Sequence, residues 1–152
     1  MITLGILAAA VVAAIGVGIL VRRNEGRVRA GADPETPAAQ GLRAELLTAA
    51  GVLPGRPTVL HFSADWCGPC AAVRRVVATI VAELAAAPAA PLDLEIDLDA
   101  NPALARELNV LSLPTTFVLD AEGRERYRIS GVPKPADLRA SLGPLTVPTA
   151  PE

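Results

Sequence analysis

The sequence predicts an α/β domain, a mixed β-sheet flanked by helices, carried behind one N-terminal transmembrane helix. Three observations predict it. Residues 2–21, ITLGILAAAVVAAIGVGILV, form an unbroken uncharged run of 20, which as a helix spans roughly 30 Å, the thickness of a bilayer's hydrocarbon core. Beyond it, runs of helical period alternate with short β-rich runs, the pattern of strands joined by right-handed crossovers into a parallel arrangement. The last two β-rich runs are separated only by a turn, which adds an antiparallel pair.

Taken in order, residues 2–21 read as the membrane anchor. A cleaved signal peptide calls for a charged leading region and a shorter apolar stretch, and neither is present. Arg22, Arg23, Arg27 and Arg29 against Glu25 give residues 22–29 a local charge of +3. Positive residues are retained on the cytoplasmic side, so the domain is expected to face the cytoplasm, with export as the alternative. From Ala30 onward, ten basic against fifteen acidic residues give −5, which argues against nucleic acid as a partner. Residues 22–38 read as a basic juxtamembrane segment and linker, rich in Ala, Pro and Gly.

The folded domain is expected over residues 39–143. Leu42, Leu46, Leu47 and Ala50 share one face of a helix that Gly51 ends. Thr58 to Ser63, TVLHFS, is a buried strand. From Gly68 to Ala87, Val73, Val76, Val77, Ile80, Val81 and Leu84 recur at helical spacing before Pro88 stops the run. LDLEIDLDA alternates Leu92, Leu94, Ile96 and Leu98 with acids, a strand with one buried face. Asn101 is expected to cap a short helix from Pro102. TTFVLD and RERYRIS make a hairpin about residues 121–123, and a last helix covers Lys134 to Leu142. RVRA at 27–30 is the candidate for a further strand; without it, the acidic strand is left at a sheet edge, where its charge would discourage stray pairing. Residues 144–152 are expected to be a disordered tail.

The chain's two cysteines, Cys67 and Cys70, fall between a strand and the longest helix of the domain. A thiol at a helix N-terminus is favoured as thiolate, and a second thiol one turn on can resolve a mixed disulfide, so the pair reads as redox chemistry. A purely structural bridge closes too small a loop to constrain the unfolded chain much. A zinc site needs four ligands, and two thiols with the one histidine, His61, fall short.

The motif Trp66-Cys67-Gly68-Pro69-Cys70 resembles the active site of the thioredoxin family. Leu113-Pro114-Thr115 resembles that family's cis-proline segment, and Gly131 sits where it keeps a glycine after the last strand. The resemblance covers about Thr58 to Leu142 and implies a thioredoxin-like fold and thiol–disulfide exchange. It implies Cys67 as nucleophile and Cys70 as resolving thiol, with Trp66, Gly68, Pro69, Leu113, Pro114 and Thr115 as contacts for a substrate's extended chain. No cofactor or metal is implied beyond the Cys67–Cys70 disulfide; the implied partners are protein disulfides and a thiol or reductase electron donor.

Three positions depart from the family: His61, Glu95, and Arg75, which replaces the proline that commonly kinks the long helix. His61 stands where the family carries a buried acid behind the resolving cysteine, and Glu95 where it carries that acid's lysine partner. A His61–Glu95 pair could serve as proton acceptor for Cys70; alternatively, His61 is a packed strand residue and Glu95 one acid on a solvated face. The expectation is a membrane-tethered disulfide reductase. The alternatives are an exported exchange protein of the cytochrome-maturation type and a non-catalytic binding module of the same fold.

Overall fold

The computed structural model describes residues 2–32 and 36–147, and in the first helix the side chains of residues 6, 7 and 10–19. Elements follow in the order α1 (Ile2–Asn24), β1 (Val28–Ala30), α2 (Pro37–Ala49), β2 (Thr58–Ser63), α3 (Cys70–Glu83), β3 (Leu92–Asp97), α4 (Pro102–Glu107), β4 (Thr115–Leu119), β5 (Glu125–Ser130) and α5 (Pro135–Leu142), then a 3₁₀ turn at Gly143–Thr146. The five strands form one mixed sheet in the order β1-β5-β4-β2-β3, with β2 and β3 parallel and the other neighbours antiparallel.

Strand alternation divides the core. Leu60 and Phe62 on β2, Phe117 and Leu119 on β4 and Ile96 on β3 pack with Leu47 of α2 and Leu104 of α4. Val59, Val118 and Ile129 point to the opposite face, against Val73, Val77 and Ile80 of α3 and Leu138 and Leu142 of α5. The result is two helical layers on one sheet, each closed by side chains removed from water. His61 follows Val59 by two residues, so it lies on the α3 face.

Several expectations are corrected. RVRA does form a strand over Val28–Ala30, but it pairs antiparallel with β5, so acidic β3 stays at the opposite edge. The 22–38 segment is therefore not all linker: Gly26 donates to the Ser130 carbonyl at 2.6 Å and Gly31 to Arg126 at 2.9 Å, bracketing β1 on the sheet. α2 begins at Pro37, two residues before the expected boundary, because the Thr36 hydroxyl accepts the Ala39 N–H. Asn101 makes no capping bond; its side-chain amide donates back to the Asp97 carbonyl. The expected tail is structured through Thr146, whose carbonyl accepts the Ala89 N–H at 3.0 Å, while residues 148–152 and 33–35 lie outside the described residues.

Of α1, the large apolar side chains described, Ile6, Leu7, Val11, Val12, Ile15, Val17 and Ile19, are all exposed. Among the described residues no helix is long and apolar enough to cross a membrane. The expected span at 2–21 includes residues whose side chains lie outside that description.

Candidate active site

At the end of β2 the chain turns through residues 64–69 before α3, with the Cys67 N–H on the Ala64 carbonyl and the Cys70 N–H on the Cys67 carbonyl. Pro69 is the N-cap, its carbonyl accepting the Ala72 N–H at 3.0 Å, and α3 begins at Cys70, two residues later than the sequence predicts. Cys67 and Cys70 are joined in a disulfide at this corner. Cys67 is half-buried while Cys70 is 2% exposed. An incoming sulfur therefore meets Cys67. The Cys70 Sγ lies 3.9 Å from the Phe62 carbonyl oxygen, which would accept its proton's hydrogen bond in the reduced state.

Trp66 is 68% exposed and donates its ring N–H to Asp99 at 3.2 Å, which holds the indole beside the disulfide. Gly68 and Pro69 are exposed and Leu113 half-buried. The Leu113–Pro114 peptide is cis, as the resemblance implies. Thr115 is buried at the start of β4 and donates its hydroxyl to the Ser112 carbonyl. The Pro114 carbonyl accepts the Gly131 N–H at 2.8 Å. Gly131 has φ +87, and a side chain there would press on Glu25 and Gly26, so the glycine also permits the close approach of the segment leading into β1.

The structure brings His61 to register opposite Glu95 on parallel strands, yet does not pair them. Instead the His61 Nε2 meets Asp93 Oδ1 at 3.0 Å, and Glu95 receives the Arg74 guanidinium at 2.7 and 2.9 Å. The expected His61–Glu95 hydrogen bond is thus replaced by two pairs. Burial pushes the Glu95 carboxyl up, but the Ser63 hydroxyl, Arg74 and the charge of His61 outweigh it and hold the group below its ordinary value. His61 is 2% exposed, and its register partner on β4, Thr116, has a buried hydroxyl without a hydrogen-bond partner among the described residues. A cluster of polar side chains, His61, Asp93 and Thr116, thus lies on the α3 face, next along β2 from the carbonyl that faces Cys70.

Arg74 and Asp93 were not singled out by sequence reasoning. The available signal was a basic residue one helical turn beyond Cys70, facing a strand with several acids. Among the described residues, no group of three His, Cys, Asp or Glu side chains gathers where it could hold a metal.

A family model described as Thioredoxin matches residues 49–143. The thioredoxin of Mycolicibacterium smegmatis is 38% identical over 90 residues, covering 57% of this chain and 76% of the relative. A Mycobacterium leprae (strain TN) protein named bifunctional thioredoxin reductase/thioredoxin is 36% identical over 88 residues, covering 57% of this chain and 18% of that longer protein. Among solved structures, Fasciola hepatica thioredoxin matches with a TM-score of 0.53 at 27% identity, covering 71% of this chain and 93% of its own.

Proposed function

This chain belongs to the thioredoxin family, and from that premise we propose that it is a membrane-tethered reductase of protein disulfides, its domain facing the cytoplasm. It is a thiol–disulfide oxidoreductase with its Cys-x-x-Cys pair at bonding distance. The observation that carries the proposed mechanism is the unequal exposure of the two sulfurs.

In the reduced enzyme the Cys67 thiolate attacks one sulfur of a substrate disulfide, forming a mixed disulfide and releasing one substrate thiolate. Cys70 then loses its proton and attacks Cys67 Sγ, which restores the Cys67–Cys70 bond and releases the second substrate thiolate. Two electrons pass to the substrate, and each released thiolate takes up a proton. The His61–Asp93 pair is the proposed destination of the Cys70 proton. Trp66, Gly68 and Pro69 beside the disulfide, and Leu113, Pro114 and Thr115 across from it, are the proposed contacts of the substrate chain.

The reducing direction is supported by the Gly-Pro between the cysteines, which resembles reducing members of the family. A thiol or reductase must return the dithiol, and the relative whose name joins a thioredoxin reductase to a thioredoxin supports a reductase as donor. Tethering is supported by the uncharged run at 2–21 and by α1's apolar side chains, 52 to 69% exposed where described. So much apolar surface on one helix suits lipid better than water. The four arginines after the run support the cytoplasmic assignment.

Two assays test this reading. The full chain should float with liposomes in a density gradient, and it should accelerate insulin reduction by dithiothreitol in a Cys67-dependent way. Recovery in the soluble fraction removes the tether, and insulin reduction equal to that of Cys67→Ser removes the catalysis.

A further inference from the structure

The helix that carries the tether joins the sheet at the same end as the redox disulfide. We propose that the dithiol faces the bilayer surface and that its substrates are disulfides of membrane proteins lying close to the headgroups. This rests on the tethered reductase reading above and adds to it where the substrate must be.

The argument is one of connectivity. β2 runs toward the disulfide; β4 starts at that end, with Thr115 opposite Phe62; β5 finishes there, with Ser130 opposite Thr115. β1 starts there too, Val28 standing opposite Ile129. Just before it, Gly26 donates to the Ser130 carbonyl at 2.6 Å, while the next residue, Gly131, donates to the Pro114 carbonyl at 2.8 Å. The entering chain is thus one residue removed from the group that holds the cis-proline.

Only Glu25 stands between the end of α1 at Asn24 and Gly26, so the helix end lies within about 7 Å of this corner. From Val21, the last residue of the apolar run, to Asn24 is about 4.5 Å of helix. Three strand spacings, roughly 15 Å, then separate β1 from β2 and the disulfide. The opposite end of the sheet is a further ~20 Å away along six-residue strands. A long flexible linker would erase this bias, but β1 pins the chain to the sheet directly after the helix.

The side chains at this end agree. Arg27 and Arg29 are exposed near the entry point and extend the basic pair Arg22 and Arg23, a distribution suited to anionic headgroups. Leu111, 85% exposed, and Trp66, 68% exposed, flank the active-site corner and are the most exposed large apolar side chains described outside α1. Tryptophan is favoured at a membrane–water interface. The family match begins at residue 49, after α1, β1 and nearly all of α2.

The test is a single-turnover measurement in proteoliposomes. The full chain is reduced, freed of excess reductant and reconstituted with a synthetic single-span peptide bearing one disulfide loop. The loop lies either about 4 or about 30 residues beyond the span, on a Gly/Ser spacer long enough to carry the far loop away from the surface. The near loop should be reduced at least about tenfold faster. Inserting roughly 20 Gly/Ser residues between Asn24 and Glu25, which leaves Gly26 free to dock, should bring the two rates within about twofold. Equal rates with the unmodified chain, or a preference untouched by the insertion, overturn the proposal. If the chain floats and reduces insulin in the same preparation, that failure is of this inference alone; if it does neither, the underlying reading falls and takes the inference with it.

Discussion

With both oxygens of Glu95 occupied by Arg74, His61 turns to Asp93, and the acid nearest in register is not the acid it meets. The Arg74 Nε–H is shared between the two Glu95 oxygens, a charge-assisted contact with a guanidinium that stays charged. The strand register was legible because Leu92, Leu94 and Ile96 alternate with acids. The pairing was not, because it depends on which side chain α3 lays over that edge. Catalysis should follow the observed pair. His61→Ala and Asp93→Asn should each slow resolution of a mixed disulfide about tenfold or more, while its formation changes less than about twofold; Glu95→Gln should have the smaller effect. Stopped-flow fluorescence with a quenched disulfide peptide separates the two steps. Unchanged resolution in both His61→Ala and Asp93→Asn would reduce the pair to packing.

At the scale of elements, the hairpin β4–β5 shows how a turn read from sequence is held in fact. Asp120 is buried at the end of β4, and its carboxylate accepts the Glu122 and Arg124 N–H groups and the Arg124 guanidinium, with Arg126 at 3.5 Å. Burial pushes its carboxyl up, but the Arg124 and Glu122 contacts outweigh that and hold it below its ordinary value of 3.8. A carboxyl depressed on folding contributes stability that is full above its unfolded value and is lost as pH falls through the folded one. Asp120→Asn should therefore cost about 1–3 kcal/mol at pH 7, and the difference from the parent should shrink below about pH 4. Thermal melts at both pH values check this; a gap that persists in acid contradicts it.

The same scale explains β1, which sequence periodicity could only nominate. Three residues carry no readable alternation, and what fixes them is a backbone fit. Gly26 adopts φ +71, and a methyl group there would collide with the Val132 carbonyl. Gly26→Ala should destabilise the domain by about 1–3 kcal/mol and detach the segment. Limited proteolysis should then cut near Arg27 and Arg29 much faster than in the parent; equal cleavage would mean that β1 is held by something else.

Across the whole molecule, the sequence motif located the disulfide and the alternating elements gave the layered fold, but the position of each edge came only from pairing. β3 lies at one edge with Asp93, Glu95 and Asp97 on one side, a charged row that discourages strand addition. β1 closes the other edge and carries the chain to α1. A domain so attached should face the cytoplasm: a green fluorescent protein fused after Glu152 should fluoresce, and an alkaline phosphatase fusion there should be silent. The reverse result places the domain outside.

The central claim is that Cys67 attacks and Cys70 resolves, and its most direct measurement compares the two serine variants of the full chain purified from membranes under non-reducing conditions. Cys70→Ser keeps the accessible nucleophile and should carry dithiothreitol-sensitive adducts with substrate proteins, while Cys67→Ser should carry almost none. No adducts on Cys70→Ser, or equal adducts on both, would contradict the account.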